Sequence, residues 1–463
     1  MKHAQLRPLF KRRRFSWIFF LGFILPTLHL NFSIKAQASP PPHQTQNLSP
    51  VFSFQSPFEA PQPEDLPQNL LPSLSFLTLE QLREAGLESA KLNQSPWSGW
   101  YWPLQEGGLA YRYADPSFPH GSPWSTIFQY LKSHLGADAP SRFSPAEKYD
   151  RLLGDHSYSL TQAMLQLAED HSSEGSIDGW MGYCTGWALA SLMLPRPTHS
   201  VTLRAFDDQS EIEFLPSDIK ALGSLLWATG SSPAQVVGTL CEESPVQRDP
   251  ITGRPLHVAC RDTNASTFHL VMTHLIGLYH RSFLMDSDSG YQIWNQPILN
   301  YSYSYFNPIT SAAGPLESSK VPLREYKKDP FHDSRAPGTV SVIGIETHLT
   351  FIYETRPNAE KTDSELSDEQ RHPLYRYELE LDAQGKIMGG EWLTRLHPDL
   401  LWAPLPFTTP STLGDPLVSP QEDWTPGHPL PPSWIQAAKK SQTQMQPLSI
   451  LIQRLFEWST QNP

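Results

Sequence analysis

The stretch from Gly179 to Trp187 reads GWMGYCTGW and continues as ALASLML before a proline. It sets one cysteine among three glycines and two tryptophans, at the point where an apolar run begins. That run predicts a helix over 186–194 that opens beside Cys184. A helix start presents unpaired backbone N–H groups and the positive end of the macrodipole. A thiol placed there is expected to have a lowered pKa and to act as a nucleophile. The glycines permit tight turns and close approach of a substrate. Inert core packing of the thiol is the competing reading.

The chain carries only three cysteines in 463 residues. Its N-terminus shows where they reside: a basic MKHAQLRPLFKRRRF, an apolar FSWIFFLGFILPTLHL and an A-x-A site at Ala36–Ala38 have the form of a cleaved signal peptide over 1–38. An exported chain meets an oxidising compartment, where thiols pair. Cys241 and Cys260 lie 19 apart around a polar, proline-bearing loop, and their spacing suits a disulfide. Cys184 is then the free thiol. Without 1–38, the chain has 28 basic and 47 acidic residues. That excess of negative charge argues against nucleic acid and anionic lipid as partners. No stable membrane span is expected once the signal is removed.

Residues 39–75 are rich in Pro, Gln and Ser and read as a linker. Helices are expected from Thr78, from Ser144 (capped by Ser144 and Glu147, with Pro145 first), over 161–169, over 216–229 and over 447–459. The tryptophans of PWSGWYW (96–102) are read as core packing rather than a sugar-binding strip. From Thr267 the pattern turns to strands. TFHLVMTHLIGLYHRSFLMDSD reads as a hairpin turning at Gly277-Leu278, and further strands follow in 291–306, 338–355 and 375–392. Proline returns over 406–463, read as a strap and tail.

A thiol nucleophile needs a base and a group to orient it. The nearby candidates are His269, His274 and His280. In the Gly277-Leu278 hairpin register His269 faces Asp286, His274 faces Arg281 and His280 faces Leu275. The candidate set is therefore Cys184, His269 and Asp286, and a one-residue slip of register would undo it. DSDSG at Asp286–Gly290 also resembles half of a calcium loop, but its twelfth position is Pro297 rather than glutamate. No zinc spacing occurs, and no cofactor is expected.

CRDTNASTFHL (260–270), FLMDSDSGYQIWNQP (283–297), WMGYCTGWA (180–188), SPAEKYD (144–150), GGEW (389–392) and HPDLLW (397–402) together resemble the transglutaminase elicitor family. That family is known from secreted cell-wall proteins of plant-pathogenic oomycetes, with relatives in bacteria. The likeness spans roughly 96–405. It implies a core over 96–328, with a β-rich segment of the same domain over 329–405. It also implies protein-glutamine γ-glutamyl transfer, with glutamine-bearing proteins as acyl donors and lysine or polyamine amines as acceptors. Cys184 takes the nucleophile's place, His269 the base's and Asp286 the acid's. Trp180, Trp187 and Asn264 are candidates to help the Cys184 N–H hold the oxyanion. The chain departs from the pattern at Thr185, where a histidine is common, at Ala265-Ser266, where Pro-Gly is common, and after WNQP. The expected fold is α+β, a papain-like core with the cysteine on a helix and the histidine and aspartate on an antiparallel sheet. A cysteine peptidase or amidase, and a non-enzymatic wall-binding elicitor, are the alternatives.

Overall fold

The structure is a computed structural model and describes residues 30–31, 62–172, 176–207, 210–288 and 292–461. The expected signal peptide and residues 39–61 of the expected linker lie outside the described residues, apart from the backbone of Leu30–Asn31, which pairs antiparallel with 233–234.

The longer helices are α1 (Leu79–Glu84), α2 (Trp124–His134), α3 (Pro145–Leu152), α4 (Ser159–Asp170), α5 (Cys184–Met193), α6 (Pro216–Thr229), α7 (Ala265–Met272), α8 (Pro432–Gln442) and α9 (Ser449–Thr460). Sequence signals explain most of their starts. Ser144 and Glu147 form the expected capping box on α3, with Pro145 first, and Thr78 and Gln81 form another on α1. α6 begins on a proline and runs over the predicted 216–229.

The main sheet is built on seven strands: β1 (Pro233–Gly238), β2 (Leu284–Asp286), β3 (Asn295–Phe306), β4 (Ser341–Tyr353), β5 (Leu374–Leu381), β6 (Ile387–Trp392) and β7 (Leu400–Pro404). Their spatial order is β1-β7-β2-β3-β4-β5-β6, and every neighbouring pair is antiparallel. Short strands edge this sheet, and 201–204 and 211–214 form a separate hairpin. β3 pairs with β4 and β7 inserts between β1 and β2, so the 329–405 segment completes the same sheet as the core.

Three expectations are corrected. The segment from Thr267 is not a hairpin: 265–272 is helix α7, a π-helical turn covers 273–278, and only 284–286 is strand. Every residue of α7 is buried. A helix with no polar face shows no 3.6-residue period, and a short apolar run then cannot be told from a buried strand. Residues 62–75 are packed rather than a free linker. Leu70 and Leu71 are buried, and the buried Asp65 takes the N–H of Asn264 while its carbonyl takes the Thr267 hydroxyl. The proline-rich C-terminal segment carries two helices, where one was expected. Gln442 of α8 donates to Asp150, and Leu448 N–H, just before α9, donates to the Tyr149 hydroxyl. The tryptophans of 97–102 behave as expected: Trp97 and Trp102 are fully buried.

Candidate active site

Cys184 is the first residue of α5 and the free cysteine of the structure; Cys241 and Cys260 form a disulfide. Two contacts fix its loop and helix. Gly182 lies against the Tyr101 carbonyl, where a Cβ would stand 2.5 Å from the oxygen. Gly186 lets α5 close onto α6, because a Cβ there would run into the carbonyl oxygen of Ser224. Tyr183 donates its backbone N–H to Tyr101 O at 2.6 Å and gives α5 no side-chain cap. The first turn of α5 therefore has no capping side chain.

The thiol is almost wholly buried. It lies 3.7 Å from the carbonyl oxygen of Ile293 and 3.9 Å from Nδ2 of Asn295. Asn295 is locked in place, with Nδ2 donating to the Thr185 hydroxyl at 3.1 Å and Oδ1 accepting from the Trp402 indole at 2.7 Å. Thr185, the departure from the family pattern, is thus a partner of this amide.

The expected thiolate is corrected. Burial first, and then the carboxylate of Glu354, push the Cys184 thiol up to about 11, with Asp286 adding in the same direction. Hydrogen bonds from Asn295 pull the other way and lose. At neutral pH the group is held as a thiol.

Asp286 ends β2 and stands opposite Asn295 of β3. Its Oδ1 accepts from the N–H groups of Trp294 at 2.8 Å and Asp288 at 3.2 Å, while Oδ2 is buried without a partner. Burial raises its pKa well above the usual carboxylate range. Asp399, also fully buried, is raised by burial and then by the charge of Asp286; the Cys241 N–H reaches its Oδ2. Glu354 is raised by burial and takes the Gln296 amide at 3.0 Å. Among the described residues no group of three or more His, Cys, Asp or Glu side chains is gathered as for a metal ion. Residues 289–290 of the DSDSG stretch lie outside the described residues.

The structure does not bring His269 to this thiol. It is buried on α7 with Nδ1 bonded to the Tyr377 hydroxyl at 2.9 Å and Nε2 unpartnered, and no hydrogen bond joins it to Cys184 or Asp286. Burial first, and then His274, lower its pKa to about 3, so it is neutral. The opposition to Asp286 vanished with the hairpin. His274 bonds Leu270 O and the Phe76 N–H. Two oxyanion candidates are also corrected. The single N–H of the Trp187 indole is spent on Trp97 O at 3.3 Å. Asn264 caps α7, accepting from Ser266 and donating to Gly390 O. Trp180 is half-buried in the loop that leads to Cys184. The side chains that do gather around Cys184 are Asn295, Glu354 and Asp286, with Trp402 behind them. WNQP and HPDLLW carry two of these. Those motifs were informative as resemblance, but only the sheet register shows that Asn295 and Trp402 meet.

Cys184 is thus a buried free thiol at an uncapped helix start, ringed by carboxyls and an amide beside a large antiparallel sheet. The sequence model of the transglutaminase elicitor family matches residues 75–414, and the chain belongs to that family. Among solved structures it is similar to the crystal structure of the GP42 transglutaminase from Phytophthora sojae, with a TM-score of 0.53 and 19% identity. That likeness covers 83% of this chain and 99% of that one. No curated protein matches the chain.

Proposed function

We propose that the protein is a protein-glutamine γ-glutamyltransferase with Cys184 as nucleophile. The free, buried Cys184 at the head of α5, beside Asn295 and two buried carboxyls, is the observation that carries this reading. The Cys184 sulfur attacks the side-chain carboxamide carbon of a glutamine, and Asp286 takes the thiol proton. Its raised pKa makes it a better base near neutral pH than an ordinary carboxylate. The N–H of Cys184 and the Asn295 amide hold the oxyanion. The C–N bond breaks, the proton goes to the leaving nitrogen, and ammonia departs from a thioester. A lysine or polyamine amine then attacks the thioester, forms the new amide and returns the thiol. The family and the Cys241–Cys260 disulfide support an exported protein, since such bonds persist in oxidising compartments.

The test is incorporation of fluorescent cadaverine into casein, with Cys184→Ser as control. Incorporation that disappears in the variant supports the reading. Glutamate release without incorporation would make the protein an amidase. A biological effect that survives Cys184→Ser, without either activity, would leave a binding protein. His269→Gln tests the base: undiminished activity supports Asp286 in that role, and a loss with normal folding restores the histidine.

A further inference from the structure

Glu354 directly follows β4 and is 7% exposed. Its Oε1 accepts from Nε2 of Gln296 at 3.0 Å, and its Oε2 is buried without a partner. Gln296 is 1% exposed, and its own Oε1 is also buried without a partner. Gln296 is the chain neighbour of Asn295, whose amide nitrogen stands 3.9 Å from the Cys184 sulfur. The charge of Glu354 acts on that thiol more strongly than the Asn295 hydrogen bonds do. Two buried acceptors near Cys184 thus lack a donor, and leaving them so costs free energy. Arg371 reaches Glu354 by its charge without a hydrogen bond; its guanidinium is exposed, beside Glu369 and over the Tyr353 ring. Tyr101 and Trp294, both half-buried, meet edge to face with 5.7 Å between ring centres. Their polar tips are engaged, the hydroxyl on Gly179 O and the indole on Gln292. Tyr101 O takes the Tyr183 N–H just before Cys184, and Thr355 N–H, just after Glu354, donates to Gly99 O at 2.8 Å. The aromatic pair, the end of β4 and the head of α5 are so tied together.

We propose that Glu354 and Gln296 hold the ammonium group of the acceptor amine, so that the site selects cationic acceptors over neutral ones. The inference rests on the acyl-transfer reading above. An alkylammonium carries three N–H donors and no acceptor, the complement of two unpaired oxygens of which one belongs to a carboxylate. Its methylene stem lies along Tyr101 and Trp294, whose ring faces also attract the charge. A chain with a net charge of −12 draws such cations toward it. Once the thioester has formed, one ammonium proton passes to Oε2 of Glu354, and the freed nitrogen pair attacks the thioester carbon. The C–S bond breaks, the sulfur receives a second nitrogen proton by way of Asp286, and Glu354 gives its proton to water. Burial raises the pKa of Glu354, which suits a group that must take a proton.

The test is competition between cadaverine, a cation at neutral pH, and hydroxylamine, which is uncharged there, for the acyl group of a blocked glutaminyl-glycine donor. Both acceptors draw on one thioester, so the ratio of their products does not depend on how fast it forms. Glu354→Gln keeps the side chain's shape and can still accept from Gln296. It is expected to lower the cadaverine-to-hydroxylamine ratio about ten-fold. An unchanged ratio, in a protein that transfers to both, overturns the proposal and leaves the acyl-transfer reading standing. A second measurement needs no turnover. n-Butylammonium chloride is expected to slow alkylation of Cys184 by iodoacetamide in the wild type, relative to equal sodium chloride, and 1-butanol is not. In Glu354→Gln this protection is lost. Equal alkylation with and without the ammonium in the wild type overturns the proposal. Protection without transfer to either acceptor supports the cation site and overturns the acyl-transfer reading alone.

Discussion

Asp286 and Asn295 stand directly opposite each other on neighbouring antiparallel strands, and the Asn295 amide nitrogen reaches both Thr185 and the sulfur of Cys184. Opposed residues project on the same side of a sheet with Cβ atoms about 5 Å apart. One strand pair therefore presents the amide and the carboxyl together at the head of α5. If the amide serves the reaction's oxyanion, Asn295→Ala lowers kcat by about 10²–10³-fold. Asn295→Asp fares no better, because it adds a negative charge where another would develop. Steady-state cadaverine incorporation reads both; kcat within two-fold of wild type would remove Asn295 from the chemistry.

The raised pKa of Cys184 makes the thiol slow to alkylate near neutral pH and faster as pH rises. Removing the Glu354 charge with Glu354→Gln lowers that pKa and speeds alkylation at fixed pH. Intact-mass kinetics with iodoacetamide on the unreduced protein follow this directly. Fast alkylation of wild type at neutral pH, or a slower variant, would contradict the electrostatics described.

Asp286 and Asp399 have folded pKa values raised above their unfolded ones. Their contribution to stability is present in full below the unfolded value and is lost as pH rises through the folded ones. Free imidazole is half deprotonated at about pH 6.5 and almost wholly so by about pH 8, so the opposing slope from buried histidines is confined to the lower part of the range. The thermal midpoint is therefore lower at about pH 9 than at about pH 6.5, and Asp399→Asn flattens the difference. A midpoint that climbs over that range would count against the buried pair.

The Cys241–Cys260 disulfide closes a loop with a sequence separation of 19. Loop-closure entropy puts its stabilisation at about 3 kcal/mol. The paired Ser variant should melt a few degrees lower in scanning calorimetry, about 2–4 °C per kcal/mol or less for a chain of this size. An unchanged midpoint would mean that the loop is held by its other contacts.

Gly186→Ala drives a methyl group into the Ser224 carbonyl and parts α5 from α6. Overpacking of this kind costs about 1–3 kcal/mol. Because α5 begins at Cys184, the proposed nucleophile, activity should fall along with stability. A variant as active and as stable as wild type would show that the helices can shift without consequence.

Much of this was legible in the sequence where local chemistry decides. Ser144 with Glu147, the proline before α6, and the alternation of 375–392 around Gly385 each announce an element through short-range hydrogen bonds or φ preference. The free status of Cys184 followed from cysteine parity, and its helix start from the apolar run. What failed depends on burial. α7 has no solvent face to set a period, so its residues read as strand and placed His269 opposite Asp286. Burial and two carboxyls raise the Cys184 thiol, and neither Glu354 nor Asn295 lies near it in the chain. The packing of 62–75 and of α8 was hidden because proline-rich composition reports local backbone, not what the segment lies against.

The insertion of β7 between β1 and β2 has a consequence in time. A chain emerging from its N-terminus carries Cys184, Asp286 and Asn295 long before Trp402, the residue that grips Asn295, and β7 itself. Until then the sheet has an open slot in its middle, which only a late and distant strand can fill. Cys184 and the Asn295 amide acquire their mutual alignment only once Trp402 and the rest of β7 have been made.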